Sequence, residues 1–561
     1  MRSTSAALSI PLAAALLLAA CSRSADGPAV ATAASAAVTA AVTPAVAAAV
    51  SAGAAHDDAG IAWRKPQAEA EADAVFAEAR TQGKPVFVYW GAEWCPPCSQ
   101  VKATVFVRPE FIEKSRGFLA VYLDGDLPGA QKLGERFKVR GYPTMILFRP
   151  DGSELTRLPG EVDAQKYLQV LTLGLGAARP VKDVFAQARS APAQLSAEDW
   201  RLLAYYSWDT DEQQLLPKAQ LAATLQRLAQ ACPPDQAEAG TRLMLKALVA
   251  QAGAEPAPKR LPPATVRERV LAVLADDLLA RENLDLVSNY ARDLTAALTA
   301  PRTPEREELI ATWAATLDRL TADTRLSQGD RLSALISRID LAKLELGIAA
   351  KQPAPLSTVL KEHVQREAAR MDREVTSDNE RNAVITGAAY ALAQAGLLDD
   401  SDRLLQAELS RSHSPYYAML SLAANAKRRN DKPGALDWYE RAYRESRGPA
   451  TRVQWGVTYV TALLELSPED GARIDRAAGS VLAELQGQQH GFYERNTASL
   501  ERMSTKLLAW NKGPEQAAVL GRLRAQRDAL CVALPAGDPQ RATCAGLLAT
   551  GGAAGKKKPA A

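Results

Sequence analysis

The chain has 561 residues, of which 47% are hydrophobic and 23% are charged. A chain of this length has room for two or three domains. Its 67 basic and 64 acidic residues nearly balance to a formal net charge of +3, so charge indicates no nucleic-acid partner, and six cysteines are too few for a disulfide-dense scaffold.

Residues 1–20 are typical of an export signal. Arg2 precedes an apolar run, residues 6–20, that is too short to span a bilayer. The run ends in Leu18-Ala19-Ala20-Cys21, which resembles a bacterial lipobox, so we expect cleavage before Cys21 and lipid attachment to that residue. In the alternative interpretation an ordinary signal peptide is removed, and Cys21 is discarded or left unmodified.

A lipid anchor would keep the protein at a membrane, because two or more acyl chains hold a protein there stably. Ser22, and not aspartate, follows Cys21, which by resemblance to bacterial sorting rules favours the outer membrane and a periplasmic location. Residues 27–55 are almost wholly small and uncharged, but they lack Leu, Ile and Phe and contain Pro44, which argues against a membrane-spanning helix. We therefore interpret residues 21–60 as a flexible, alanine-rich tether.

Hydrophobic periodicity changes repeatedly between residues 62 and 176, as expected of an α/β domain. Continuous apolar runs such as residues 85–90 predict strands that are buried on both faces. Pro150-Asp151-Gly152 predicts a turn into a short edge strand. The predicted order is helix 67–81, strand 85–90, helix 95–106, strand 118–123, helix 131–137, strand 145–148, strand 154–158 and helix 163–173.

Two motifs in this segment carry chemistry. Trp94-Cys95-Pro96-Pro97-Cys98 follows a buried strand and opens a helix, and Gly141-Tyr142-Pro143-Thr144 lies just before the third strand. With these motifs the segment resembles the thioredoxin family over its whole length. "GKPVFVYWGAEWCPPC" is similar to periplasmic thiol–disulfide interchange proteins of bacteria, whereas "VRGYPTMILFRPDG" is similar to protein disulfide isomerase domains.

The resemblance implies a role for each motif residue. Cys95 is the nucleophile, and Cys98, one turn further along the helix, is the resolving thiol. At a helix N-terminus, unpaired N–H groups and the helix dipole favour the Cys95 thiolate. Pro143 is expected in the cis form, and Trp94, Tyr142 and Pro143 are expected to bind the client.

Other interpretations of the cysteine pair stay open at this point. A zinc site would need about four ligands, and the sequence has no second CxxC and no closely spaced histidine pair, so we expect no metal and no organic cofactor. The pair could instead be a permanent structural disulfide, or the fold could serve only for binding.

One position departs from the family. A buried acidic residue six positions before the first cysteine is thought to help deprotonate the second, but here that residue is Tyr89, and its usual lysine partner is replaced by Tyr122. A tyrosine is a poor base near neutral pH because its pKa is about 10. The two tyrosines either pack as core or leave proton transfer at Cys98 to water or Glu93.

Residues 180–550 have helical periodicity throughout and predict an all-α region. Helix starts are predicted at Ser196, Thr303 and Ser467. Small and aromatic residues in 380–485 recur with a period of about 34, which predicts tetratricopeptide-like repeats that would bind client peptides on a concave face. A generic helical bundle is the alternative. Residues 551–561 are expected to form a disordered tail.

Two further cysteines lie near the C-terminus. Cys531 and Cys544 flank a turn that contains proline and glycine, and we expect a structural disulfide between them in an oxidising compartment. A second redox pair is the alternative. Cys232 has no evident partner in the sequence and is expected to be a buried free thiol.

The resemblance implies a membrane-anchored thiol–disulfide oxidoreductase, with a protein-disulfide reductase as the first expectation. Its partners would be exported proteins with disulfides or thiols, and a membrane-bound electron donor or acceptor. The loop that contains Pro143 supports a folding oxidase or isomerase as the second. A third hypothesis is a client-binding assembly or chaperone-like lipoprotein whose thioredoxin fold is not catalytic.

Overall fold

The computed structural model describes residues 60–127, 129–160, 162–254, 262–349, 352 and 355–549. The predicted export signal, Cys21, almost all of the tether and the tail 551–561 lie outside these residues. Within the described ranges, no helix is both long enough and apolar enough to cross a membrane.

The N-terminal part is an α/β domain around a four-stranded sheet with strand order β2-β1-β3-β4. The strands are β1 Val86–Gly91, β2 Leu119–Asp124, β3 Thr144–Phe148 and β4 Glu154–Leu158. β1 runs parallel to β2 and antiparallel to β3, and β4 pairs antiparallel with β3 at the edge, as predicted.

Five helices cover the two faces of this sheet. They are α1 Glu69–Gln82, α2 Pro96–Val101, α3 Pro109–Ser115, α4 Ala130–Arg136 and α5 Ala164–Gly176. A π-helical segment, Lys102–Phe106, continues α2, so the predicted helix 95–106 is one element with a wider second half. Helix α3, which has only seven residues and buries Phe111, was not predicted from the sequence.

Alternation along β1 separates two apolar layers. Val86, Val88 and Trp90 pack with α1 and α4, while Phe87 and Tyr89 pack on the other face with α2, α3 and α5. Every residue of β1 is buried, as the continuous apolar run predicts. β1 therefore places the cysteine motif, which follows it directly, on the face of the sheet against which α2 packs.

The rest of the described chain is helical, which confirms the predicted fold class of an α/β domain followed by an all-α region. Ser196 and Thr303 are N-caps as predicted, but the helix expected at Ser467 begins at Gly471, because Asp470 provides the cap. The helices are α6 Val181–Ser190, α7 Ala197–Tyr205, α8 Lys218–Ala231, α9 Ala237–Ala252, α10 Ala264–Ala275, α11 Asp277–Glu282, α12 Leu284–Asn289, α13 Ala291–Leu298, α14 Pro304–Ala322, α15 Gln328–Glu345, α16 Thr358–Glu374, α17 Asp378–Gln394, α18 Leu398–Glu408, α19 Pro415–Arg428, α20 Lys432–Glu445, α21 Pro449–Leu466, α22 Gly471–Ala483, α23 Glu494–Trp510, α24 Pro514–Ala533 and α25 Gln540–Gly546.

Consecutive helices pack in pairs through the segment where repeats were predicted. α17 packs on α18, α19 on α20, and α21 on both α20 and α22. The pairs begin at residues 378, 415 and 449, a spacing close to the predicted period. Whether they belong to the tetratricopeptide class stays a prediction.

Two buried cations of the α/β domain contact the helical region at the edge of the sheet. The Arg157 guanidinium on β4 is fully buried and donates hydrogen bonds to the backbone oxygens of Phe137, Lys138 and Thr210. Lys166 on α5 pairs with two carboxylates of the helical region, Glu238 at 3.1 Å and Glu282 at 2.8 Å. We call Arg157 and Lys166 with these partners the anchor junction.

Candidate active site

The cysteine pair lies where β1 ends and α2 begins. Cys95 is the N-cap of α2, and Pro96 and Pro97 occupy its first turn, where missing N–H groups cost nothing. The Cys98 N–H donates to Cys95 Sγ at 3.3 Å, so the helix N-terminus does act on the first thiol. Both residues are free thiols and both are buried, with 3% of Cys95 and none of Cys98 exposed.

Burial changes the acidity that the motif alone predicts. The pKa of Cys95 is raised well above its ordinary value, because desolvation outweighs the hydrogen bond from the Cys98 N–H. Desolvation also opposes ionisation of Cys98, but hydrogen bonds from Cys95, the backbone at residue 92 and Tyr89 lower the pKa of that thiol. In this conformation Cys95 is therefore protonated and is a weak nucleophile.

Tyr89 and Tyr122 form a stacked pair beneath the cysteines. Their ring centroids are 5.1 Å apart, and the Tyr89 hydroxyl donates to the Cys98 backbone oxygen at 3.5 Å. Burial raises the pKa of both hydroxyls well above 10, so neither serves as a base near neutral pH. The Tyr122 hydroxyl has no hydrogen-bond partner among the described residues.

Trp94 does not face solvent but lies in a cluster of aromatic rings. Its indole is stacked on Tyr417 with centroids 5.9 Å apart, and it meets Trp455 edge-on at 4.7 Å and Tyr142 edge-on at 5.7 Å. Tyr417 and Trp455 belong to α19 and α21 of the helical region. The predicted client-binding tryptophan is thus covered by the protein's own helices.

Asp126 connects Trp94 to the helical region. One of its carboxylate oxygens accepts a hydrogen bond from Trp94 Nε1 at 2.8 Å. The other accepts from the backbone N of Thr451 at 2.7 Å and from Thr451 Oγ1 at 2.5 Å. Burial raises the pKa of Asp126, although these hydrogen bonds oppose the shift.

A second polar contact lies on the α2 side of the motif. Asn382 Nδ2, from α17, donates to Ser99 Oγ at 2.7 Å. Gln100 Nε2 donates to Asp330 Oδ1 of α15 at 2.9 Å. We call Asn382, Tyr417, Thr451 and Trp455 the cap surface, because together they cover the cysteine motif.

The loop that carries Pro143 lies on the other side of Trp94. The Tyr142–Pro143 peptide bond is cis, as expected. The Tyr142 ring is stacked on Trp90 with centroids 5.4 Å apart, and the guanidinium of Arg495 in α23 lies 4.4 Å from its centroid. The structure therefore brings Trp94, Cys95, Cys98 and Tyr142 together, and helices of the second region surround them.

The remaining predicted residues lie apart from this cluster. Cys531 and Cys544 are joined in a disulfide between α24 and α25 at the C-terminal end of the described helical region. Cys232 is half-buried, and desolvation raises its pKa to about 11. No group of three His, Cys, Asp or Glu side chains suited to a metal ion occurs in the described part of the chain.

Two acidic residues near the site and the cap surface were not predicted from the sequence. Asp124 is the last residue of β2 and Asp126 lies two positions further on, at the strand ends where the motif also lies, and that placement could have indicated them. Burial, with a contribution from Asp126, raises the pKa of Asp124 to about 7. The cap residues are separated from Cys95 by more than 280 positions in the chain, and no local pattern points to their contact.

Comparison with known proteins gives matches of limited length. A family model described as a thioredoxin-like domain matches residues 72–174. The chain is 37% identical over 119 residues to thiol:disulfide interchange protein DsbD of Pseudomonas fluorescens, which covers 20% of each protein. It is 32% identical over 106 residues to thiol:disulfide interchange protein DsbD 1 of Pseudomonas aeruginosa, which covers 18% of each.

A shorter protein matches over most of its own length. The chain is 34% identical over 91 residues to an H-type thioredoxin of Oryza sativa subsp. indica, a match that covers 16% of this chain and 69% of that protein. By contrast, the chain spans only about a fifth of the length of the interchange proteins it matches.

Proposed function

We propose that this chain, which belongs to the thioredoxin family, is a thiol–disulfide oxidoreductase that exchanges disulfides with protein clients through Cys95 and Cys98. The observation that carries the proposal is the Cys98 N–H hydrogen bond to Cys95 Sγ at the start of α2, which stabilises a thiolate on the outer thiol once it is exposed to solvent. Similarity to two interchange proteins supports the same chemistry.

The exchange proceeds in two steps that conserve electrons. The Cys95 thiolate attacks one sulfur of a client disulfide, the client S–S bond breaks, and the second client sulfur leaves as a thiolate that takes up a proton. The Cys98 thiolate then attacks Cys95 Sγ, so that a Cys95–Cys98 disulfide forms and the client leaves with its second thiol. Two electrons pass to the client, and a dithiol donor must return them before the next cycle.

The direction of electron flow is part of the proposal. We infer a protein-disulfide reductase, because the stretch "GKPVFVYWGAEWCPPC" is similar to periplasmic interchange proteins. We also infer a lipid-anchored protein in the bacterial periplasm, served by a membrane-bound electron donor. The support for anchoring is the sequence of residues 1–21 alone.

A second candidate function is favoured by one observation. The helical region covers Trp94 and both cysteines, as expected of a client-binding protein whose α/β domain contributes only a surface. In that function Cys95 and Cys98 would not cycle between the dithiol and the disulfide.

Trapping a mixed disulfide tests the proposal. The full chain with Cys98→Ser lacks the resolving thiol, so we expect it to accumulate client adducts through Cys95 when reduced protein is mixed with an excess of a protein disulfide such as insulin. Cys232→Ser is the matched control, because among the described residues Cys232 is the free thiol that lies outside the motif, and its loss should leave wild-type turnover unchanged. Absence of adducts, even after mild denaturant has loosened the fold, favours the binding function.

The reduction potential then fixes the direction. Full-length protein in detergent is equilibrated with glutathione buffers, and the Cys95–Cys98 redox state is read by alkylation and mass spectrometry. A potential of about −270 mV would indicate a reductant, whereas about −120 mV would indicate a disulfide donor to folding proteins.

A further inference from the structure

The helical region occupies the surface that a client would need. Trp94, which the resemblance assigns to client binding, is 8% exposed and stacked on Tyr417. Thiol–disulfide exchange requires the attacking sulfur to approach the client S–S bond directly. A disulfide attached to a folded protein cannot make that approach to a residue that is 3% exposed, as Cys95 is here.

We propose that the cap surface, Asn382, Tyr417, Thr451 and Trp455, determines which disulfides react with Cys95, because it must move away from Trp94 before a protein disulfide can bind. The inference rests on the proposed function and adds a selection step to it. The α/β domain then has a closed form, which is the one described, and an open form that exposes the cysteine motif.

The contacts of the cap surface are of a kind that can be broken. Asn382 donates to Ser99, and Thr451 donates to Asp126. All of these donors are neutral groups, and water can replace every one of the hydrogen bonds. The anchor junction differs, because separating Lys166 from Glu238 and Glu282 would leave a buried ammonium without a carboxylate partner. Movement would therefore take place at the cap surface while the anchor junction stays intact.

Opening also changes the chemistry of Cys95. In the closed form desolvation keeps the pKa of this thiol high. Once the cap surface has moved away, water reaches the sulfur while the Cys98 N–H still donates to it, so we expect the pKa of Cys95 to fall and its thiolate fraction to rise. The same movement thus exposes the nucleophile and activates it.

Gly448 offers a way to force the opening. It precedes α21 with a φ of +89°, and a Cβ placed on it would lie 2.8 Å from the Cβ of Asp126. Gly448→Ala therefore both strains the backbone and pushes α21 away from Asp126. Gly487 has a similar φ of +80° but open space around it, so Gly487→Ala is a control with the strain and without the clash.

Thr451→Val provides an independent variant that keeps the backbone unchanged. It removes the hydroxyl that donates to Asp126 and keeps the shape of the side chain. The matched control is Thr461→Val on the same helix, since the Thr461 hydroxyl has no hydrogen-bond partner among the described residues.

The experiment measures how fast Cys95 of the reduced full chain reacts with a polymer-bound maleimide, with the labelled peptide quantified by mass spectrometry. We expect Gly448→Ala and Thr451→Val to raise the rate about tenfold, the factor expected when a hydrogen bond to a carboxylate is lost. Both controls should stay within about twofold of wild type. Hydrogen exchange of residues 93–101 provides a second readout that needs no reagent at the sulfur, and it should speed up in the same two variants.

Two outcomes overturn the proposal. The first is that Cys95 of the wild type already reacts with the maleimide as fast as a small thiol compound in solution does. The second is that the cap variants and their controls show equal rates of labelling and of hydrogen exchange. Labelling does not depend on redox turnover. If the cap variants label faster but none of them reduces insulin, then the selection step stands and the proposed function fails.

Discussion

Two of the junctions between the α/β domain and the helical region are built from different chemistry. At the anchor junction, Arg157 and Lys166 are buried cations whose partners are backbone oxygens and three carboxylates, those of Glu154, Glu238 and Glu282. At the cap surface, aromatic rings and neutral hydrogen-bond donors surround Trp94 and Asp126. If the anchor junction came apart, the buried Lys166 ammonium would lose both of its carboxylate partners, whereas opening the cap surface would return polar groups to water.

This difference assigns a role to each junction. Removing one partner of a buried charge pair costs about 3–5 kcal/mol, whereas a hydrogen bond from a neutral donor contributes about 1–2 kcal/mol. The anchor junction therefore keeps the two regions together, and the cap surface is the part that can open without unfolding. Predictions that separate stability from access to Cys95 test this division.

The largest effect is expected at the anchor junction. Arg157→Leu leaves the oxygens of Phe137, Lys138 and Thr210 buried without their donor, so we expect a loss of about 3–5 kcal/mol in the free energy of unfolding. Denaturant titration followed by circular dichroism measures it. Arg116→Ala, which removes an exposed pair with Glu113, should change stability by less than about 0.5 kcal/mol.

If Arg157→Leu proved as mild as Arg116→Ala, the two junctions would not differ in kind. The proposed difference between the two junctions would also be contradicted if Thr451→Val lowered the free energy of unfolding as much as Arg157→Leu does. In that case the cap surface would be a permanent interface.

A smaller effect on stability is expected from the titration of Asp124, which lies two residues before Asp126. Burial raises the pKa of the Asp124 carboxyl from 3.8 to about 7, so the folded state holds a proton that the unfolded state releases. The free energy of unfolding therefore falls as pH rises from about 4 to about 7, by about 2 kcal/mol for a partly solvated carboxyl, and the loss is complete above about 7. Asp124→Asn removes this contribution, so the variant should gain on wild type as pH rises through this range.

Unfolding midpoints at about pH 5 and about pH 8 measure the effect. Asp151→Asn is the control, because hydrogen bonds from Ser153 lower the pKa of that exposed carboxyl, and its contribution is lost only in acid. Asp124→Asn and wild type with parallel pH profiles would contradict the assignment of a proton to Asp124.

The fold of the α/β domain was predictable because its signals are local. The apolar run of β1, the prolines that open α2 and the turn before β4 each specify structure within a few residues. The missing element, α3, buries a single aromatic side chain and is too short for periodicity to identify. The motif residues were placed correctly with respect to strand and helix for the same reason.

The surroundings of the site were not predictable, because they depend on contacts between distant parts of the chain. Trp94 was expected to face a client, but its actual neighbours, Tyr417 and Trp455, lie on helices whose own periodicity indicates only that they are amphipathic. The raised pKa of Cys95 has the same origin. The motif predicts a thiolate, and the burial that overrides it comes from the helical region.

The smallest predicted effect separates chemistry from access beneath the cap surface. The hydroxyl of Tyr89 contributes to lowering the pKa of Cys98, so Tyr89→Phe should raise that pKa and slow resolution of the mixed disulfide. Losing one hydrogen bond of about 1 kcal/mol corresponds to a slowing of about fivefold. Rapid quenching of a preformed Cys95 adduct, followed by mass spectrometry, measures the rate of release.

Tyr122→Phe is the matched control for this effect. It removes a hydroxyl that has no hydrogen-bond partner among the described residues, and it keeps the ring that is stacked on Tyr89. We expect wild-type release from Tyr122→Phe, and labelling of Cys95 in both variants at the wild-type rate, because neither side chain belongs to the cap surface. Equal slowing of release in the two variants would mean that packing of the pair, and not the pKa of Cys98, controls resolution.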